Sequence, residues 1–413
     1  MLTPLAASQV RQHGATERVV YRFKGGQDGS LPEPVLIDVG GELYGTTAAG
    51  GGGGCANSGA TGCGTVFRVS PSGKEDVLHA FGNGADGALP ESSLIAFGGL
   101  LYGTTNAGSS GACSTSGITG CGTVFTIDQK DTAHSVLYSF KGGADGAYPY
   151  ALTNLNAKLY GTTAAGGGGS CSFYGTKGCG AVYTVDPSSG REAVVYAFKG
   201  GSDGAVPYAG LTDVNGALYG TTYSGGAHGS GTVFKIDPAT GKKTVIYAFA
   251  GGADGGGPFG NLIDVNGTLY GTTTGGGTGC KGGCGTVFEV SPLTRDEHAL
   301  YSFKGAVDGS EPTSGLINDN GQLFGVTAGG GVGICTAHGG EPPGCGTVFE
   351  VNASTGAEKV LYSFKGGADG RNPESGLTEV GGVLYGTTFW GGGSQCTSYG
   401  VAVGCGTVFE LQL

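Results

Sequence analysis

"ERVVYRF" occupies residues 17–23, and "GCGTVFELQL" closes the chain at 404–413. The opening stretch reads as the fourth strand of a repeated unit, typified elsewhere by KTVIYAF (243–249). The closing stretch reads as the third strand of the same unit. The last copy therefore lacks its outer strand, and the N-terminus carries a spare one. A ring closed by one N-terminal and three C-terminal strands leaves no exposed sheet edge, which is otherwise an aggregation hazard. An open solenoid would need capping units at its ends.

The repeat is explicit. LYGTT begins at Leu43, Leu101, Leu159, Leu218, Leu269 and Leu384, with LFGVT at Leu323. GTVF, or GAVY in the third copy, begins at Gly64, Gly122, Gly180, Gly231, Gly285, Gly346 and Gly406. A third element ends in Asp28, Asp86, Asp145, Asp203, Asp254, Asp308 and Asp369, each followed by Gly and, four positions on, by Pro. The unit is about 57 residues long and occurs seven times, a period that points to a solenoid, propeller or array. Four short strands are legible in each copy, for example AGLTDV (209–214), ALYGTT (217–222), GTVFKID (231–237) and KTVIYAF (243–249). They are rich in Val, Ile, Tyr, Phe and Thr and bounded by turn signals. GTVF and VIYAF are almost continuously apolar, as strands packed on both faces are. Glycine in LYGTT and GTVF is read as relief where strands crowd toward an axis. The expected fold is an all-β, seven-bladed β-propeller with four-stranded blades. Residues 1–16 are read as a tail and 17–413 as one domain.

Glycine supplies 92 residues, a share that without a period would read as disorder. A net charge of −11 excludes the basic footprint of a nucleic-acid binder. No apolar run reaches a membrane span. The N-terminal MLTPLAASQVRQHGATE lacks the apolar core of a signal peptide, so either the protein stays in the cytosol or a leader lies outside this sequence.

The combination LYGTT…GTVF…DGxxP, in all seven copies over about residues 17–413, resembles the Gloeo_Verruco repeat of the "choice-of-anchor tandem repeat GloVer-containing" bacterial proteins. The strand layout is more loosely similar to kelch repeats. The resemblance implies an exported bacterial protein, tethered or secreted, with a propeller-like fold. It implies no defined activity and no catalytic residues.

The twelve cysteines fall as Cys55/Cys63, Cys113/Cys121, Cys171/Cys179, Cys280/Cys284, Cys335/Cys345 and Cys396/Cys405, always between LYGTT and GTVF of one unit. Unit four lacks both members, as a bond predicts. Zinc needs four ligands, and each loop offers two cysteines and rarely a histidine; free thiols are the other alternative. Disulfides are the favoured reading, and six of them imply an oxidising compartment. The expected location is secreted, cell-surface or periplasmic.

In a four-stranded meander the stapled loops and the DGxxP connectors share one face, opposite the tight turns. The seven DG aspartates could form a calcium or acid–base ring. Asp-Gly before Pro is better read as turn chemistry, with Asp bonding local backbone. More informative is the residue after each proline: Glu33, Glu91, Tyr150, Tyr208, Phe259, Thr313 and Glu374 in ring order. Three glutamates are contiguous around the ring, and so are three aromatics. The loops between LYGTT and GTVF have sixteen residues in units one to three, eight and eleven in units four and five, and eighteen and seventeen in units six and seven. The rim is thus expected to dip over Tyr208 and Phe259, with Tyr223, His228 and Trp390 as further ligand-binding candidates and Phe173, Tyr174 and Phe389 nearby.

An aromatic platform beside carboxylates suits sugar rings, which stack their C–H faces while their hydroxyls bond to acids. The first expectation is a binding module, a monomer, for a neutral glycan or other cell-surface ligand. The second is a glycoside hydrolase or lyase whose acid and base come from Glu33, Glu91 and Glu374. The third is a structural protein. No cofactor and no metal are expected, with calcium at the carboxylates as the exception to test. No nucleophile elbow, HExxH motif or phosphate loop is present.

Overall fold

The computed structural model describes residues 15–57, 59–335, 344–393, 396–398 and 401–413; residues 1–14, most of the N-terminal tail, lie outside these. Seven antiparallel four-stranded sheets form a ring, a seven-bladed β-propeller, and the described residues contain no α-helix. Blade one is representative: Ile37–Val39 is innermost, followed outward by Glu42–Thr47, Thr65–Val69 and Glu75–Ala80. Blade seven is the composite foreseen from the chain ends. Its outer strand, Thr16–Arg22, pairs antiparallel with Thr407–Gln412, with Glu17 opposite Leu411 and Arg22 opposite Thr407. Arg18 clamps Glu410 through Nε and Nη2 at 2.7 and 2.9 Å.

The repeat motifs serve mainly to seal one blade onto the next. The phenylalanine that ends each outer strand is fully buried, its ring set edge-on against the GTVF aromatic of the following blade. Centroid distances are 5.0 Å for Phe23–Phe67 across the closure, 4.9 Å for Phe140–Tyr183 and 5.2 Å for Phe198–Phe234. Edge-to-face aromatic contacts of this kind add to ordinary apolar burial. Outside the third copy, which has Ala181 there, the second threonine of LYGTT bonds the threonine of GTVF, as in Thr47–Thr65 and Thr222–Thr232, both at 2.8 Å. In five units the first threonine reaches the next unit; Thr46 donates to the Pro90 carbonyl at 2.6 Å and Thr387 to that of Pro32 at 3.0 Å.

Both motif glycines have causes other than crowding at the axis. A Cβ on Gly45 of LYGTT would stand 2.7 Å from the Phe67 ring and 2.8 Å from Leu36. Gly64 of GTVF has φ +98°, and its Cβ would meet Pro90 of the next unit at 2.4 Å. These glycines make room for the GTVF aromatic and for the neighbouring proline.

All six disulfides join the two cysteines of one unit, and there are no free cysteines among the described residues. Such a set of bonds belongs to an oxidising, extracytoplasmic setting. No described helix is long and apolar enough to cross a membrane.

Candidate functional site

The DGxxP connectors build the site. Each aspartate accepts a hydrogen bond from the backbone N–H four residues earlier, as in Lys24 to Asp28 and Lys141 to Asp145, both at 2.7 Å. The turn-chemistry reading therefore describes the connectors as they stand. In six of the seven the same carboxylate also accepts from the tyrosine hydroxyl seven residues back, for example Tyr138 to Asp145 at 2.5 Å. A residue before proline ordinarily stays extended. Here every one is left-handed: Leu31 (φ 60°), Leu89 (57°), Tyr148 (58°), Val206 (59°), Gly257 (65°), Glu311 (56°) and Asn372 (53°). In a β-branched residue such as Val206 this conformation is a true outlier.

What holds it is the stapled loop of the preceding unit. The Leu31 N–H donates to the Cys405 carbonyl, Leu89 to Cys63, Tyr148 to Cys121, Val206 to Cys179, Glu311 to Cys284 and Asn372 to Cys345, all at 2.9–3.0 Å. In unit four, which has no staple, Ser230 receives the bond from Gly257 at 2.8 Å. The disulfides thus do more than tie down glycine-rich loops. Each fixes the carbonyl that sets the backbone two residues before a mouth residue.

The structure brings all seven post-proline residues together. Glu33, Glu91, Tyr150, Tyr208, Phe259, Thr313 and Glu374 line a central channel of about 500 Å³, and each is half-buried. Five of them also form the floor of a second cavity of about 310 Å³ on the stapled-loop face. We refer to this cavity as the bowl. Its wall comes from loops one to three: Asn57, Thr115, Ser116, Phe173 and Tyr174.

The aromatic arc is continuous. Tyr150 and Tyr208 meet edge-on at 5.1 Å, Tyr208 and Phe259 lie 4.9 Å apart, and Phe173 packs against Tyr208 at 5.5 Å. Tyr223 touches the back of the arc at 5.5 Å from Tyr208 and is 40% exposed. Tyr174 stands at the rim, 66% exposed.

The acidic arc faces it. Glu91 accepts hydrogen bonds from Asn106 Nδ2 at 2.5 Å and Asn57 Nδ2 at 3.3 Å. Burial lifts Glu91 to about 7, against the pull of those two amides. Burial also raises Glu33 well above the usual carboxylate range, reinforced by the negative charges of Glu91 and Glu374. The two carboxyls thus sit in unlike surroundings, Glu91 between two amides and Glu33 beside the charges of Glu91 and Glu374. Burial, then the charge of Glu91, drives the Tyr150 hydroxyl upward, so it remains a neutral donor.

Tyr223 lines neither cavity, and two further candidates lie elsewhere. Trp390 is 7% exposed, packed with Phe389, Leu31, Ala48, Ala49, Ala60 and Val403 at the seam of blades seven and one. Its size fills that seam, and it lines neither cavity. His228 is exposed on the short fourth loop and also lies outside both cavities. Asn57, Asn106, Thr115, Ser116 and Tyr148 were not singled out from sequence. Asn106 had a signal: it directly follows LYGTT, where units one, three and six carry alanine.

The profile of the Gloeobacter/Verrucomicrobia repeat matches residues 8–174 and 169–399. The chain belongs to that repeat family. No curated protein sequence matches this Gloeobacter/Verrucomicrobia repeat protein. Among solved structures it is similar to an oligogalacturonate lyase in complex with manganese, at 12% identity and TM-score 0.53, covering 97% of this chain and 90% of that one. It is equally similar (TM-score 0.53, 10% identity) to the extracellular domain of a one-component system from B. thetaiotaomicron, covering 97% of this chain and 40% of that one. At these identities the likeness concerns the fold.

Proposed function

We propose that the protein is an extracellular binding module that takes a neutral glycan, or a cell-surface ligand presenting one, in the bowl. The observation that carries this is the unbroken Tyr150–Tyr208–Phe259 arc facing Glu33 and Glu91 across one cavity. A sugar ring offers apolar C–H faces to aromatic rings, and its hydroxyls donate to carboxylates and accept from tyrosines. Six disulfides accord with work outside the cytoplasm.

A second reading, a glycan-active hydrolase or lyase, is favoured by one specific feature. Burial raises both carboxyls, Glu91 to about 7 and Glu33 well above the usual range, as a general acid requires. A glycan array run beside a reducing-sugar assay on the same oligosaccharides separates the two. Binding without release of reducing ends supports the module; turnover lost in Glu33→Gln and Glu91→Gln supports the enzyme. Chelator added to both assays tests calcium at the carboxylates. Silence across array and assay would overturn both readings.

A further inference from the structure

Seven junctions between outer strands offer an internal comparison within one chain. At each, the connector aspartate meets a residue of the preceding outer strand and one at the start of the following one. Five junctions use tyrosine and glutamate: Tyr21 and Glu75 on Asp28, Tyr138 and Glu192 on Asp145, Tyr247 and Glu297 on Asp254, Tyr301 and Glu358 on Asp308, and Tyr362 and Glu17 on Asp369. A sixth replaces the glutamate with Lys243, which pairs with Asp203 at 3.0 Å beside Tyr196. Only the junction between blades one and two changes both partners, and both become histidine.

There His79 Nε2 and His134 Nδ1 stand 3.2 and 3.3 Å from the same Asp86 oxygen, Oδ1. The other oxygen, Oδ2, accepts from the Gly82 N–H at 2.7 Å, so backbone geometry fixes the carboxylate. The imidazoles are stacked with centroids 3.9 Å apart and planes within 7°. Phe81 and Phe125 pack against them. One ligand atom from each of the three side chains lies within 4.8 Å of the others, the one such His/Cys/Asp/Glu group among the described residues. Side-chain exposures of 20%, 26% and 13% for His79, Asp86 and His134 leave a path for an ion and a solvent ligand.

We propose that His79, Asp86 and His134 form a binding site for a divalent transition ion of the zinc class. Two nitrogens and one carboxylate oxygen suit zinc, with water as the fourth ligand. In the ion-free arrangement the parallel planes aim the two lone pairs past one another, so binding an ion requires both rings to turn out of the stack toward a common point beside Oδ1. The site sits on the outer belt, away from the bowl. It ties blade one to blade two, the blades that supply Asn57 and Asn106 to Glu91.

The test is calorimetric titration of metal-stripped full-length protein with zinc chloride near neutral pH. The parent should take up one equivalent, and its melting temperature should rise with zinc. The double variant His79→Tyr/His134→Glu restores the arrangement of the five other junctions and is therefore expected to fold. It should melt at or above the zinc-free parent and bind zinc roughly 100-fold more weakly. His134→Ala provides a second variant should the double one fail to fold. Cobalt(II) should give visible ligand-field bands in the parent that are absent from the variants. No uptake by the parent would overturn the assignment. So would an equivalent that survives in both variants, or one lost instead in His228→Ala/His298→Ala.

Discussion

Ring closure rests on one strand that is joined to its sheet only by non-covalent contacts, and Phe23 measures how firmly it is held. The side chain is 0% exposed and its ring sits 5.0 Å from Phe67 in blade one. Phe198, between blades three and four, has the same burial and a 5.2 Å partner in Phe234. Removing a buried phenyl ring costs about 3–5 kcal/mol through lost transfer energy and the residual cavity. That is a large share of the roughly 5–15 kcal/mol available to a domain. Phe23→Ala and Phe198→Ala should therefore lose similar stability in chemical denaturation. They should differ in a second readout. Loosening residues 16–22 frees the edge of 407–412, so Phe23→Ala alone should increase light scattering below its melting point. A loss under about 1 kcal/mol for Phe23→Ala, beside a full loss for Phe198→Ala, would mean that the strand does not seal the ring in solution.

The staples should matter locally as well as globally. Replacing Cys171 and Cys179 by serine opens a loop with a separation of eight residues, and should cost about 2.5 kcal/mol from unfolded-state entropy. It should also weaken ligand binding by loosening Tyr208, whereas Cys280→Ser/Cys284→Ser, which backs Thr313, should leave affinity intact; equal effects on binding would refute the coupling. Burial, first, and the neighbouring aspartates lift Glu17, Glu75, Glu192 and Glu358 to about 7 and Glu297 to about 8. Folded values above the unfolded one mean the native state holds more protons, so stability is fullest below about pH 4.5 for these groups and declines as pH rises toward 8. Denaturation midpoints that climb from pH 5 to pH 8 would contradict this, taken at about those values. Tyr183 stands where the other units have phenylalanine, and its buried hydroxyl has no hydrogen-bond partner; Tyr183→Phe should raise stability by about 1 kcal/mol, and a lower melting temperature would refute it.

The architecture was legible because the repeat supplies its own alignment. Seven copies make Glu33 and Tyr208 equivalent positions, and the split unit at the chain ends can close in only one register. The cysteine pairs were legible for the same reason, since unit four lost both together. The left-handed turn before each proline was not, because Leu, Tyr, Val, Gly, Glu and Asn all adopt it there. Its cause is a carbonyl in the preceding unit, which local propensity does not encode. Trp390 was misleading as a candidate because a lone tryptophan in a long loop fits a platform and a seam equally well. Only the facing Leu31, Ala48 and Ala60 decide between them. The aspartate turns were readable as local chemistry. Their second role, receiving a tyrosine from one blade beside a glutamate of the next, depends on contacts across the junction.

The most direct measurement is the affinity of the parent and of Tyr208→Ala for the neutral oligosaccharide giving the strongest array signal. Tyr208 touches Tyr150, Phe173, Tyr223 and Phe259, so it is the centre of the aromatic arc. If the bowl is the binding site, its removal should weaken binding by about 1–3 kcal/mol, as loss of a central buried anchor does. Unchanged affinity in Tyr208→Ala, with the variant folded and its disulfides intact, would place the ligand elsewhere and contradict the proposed function.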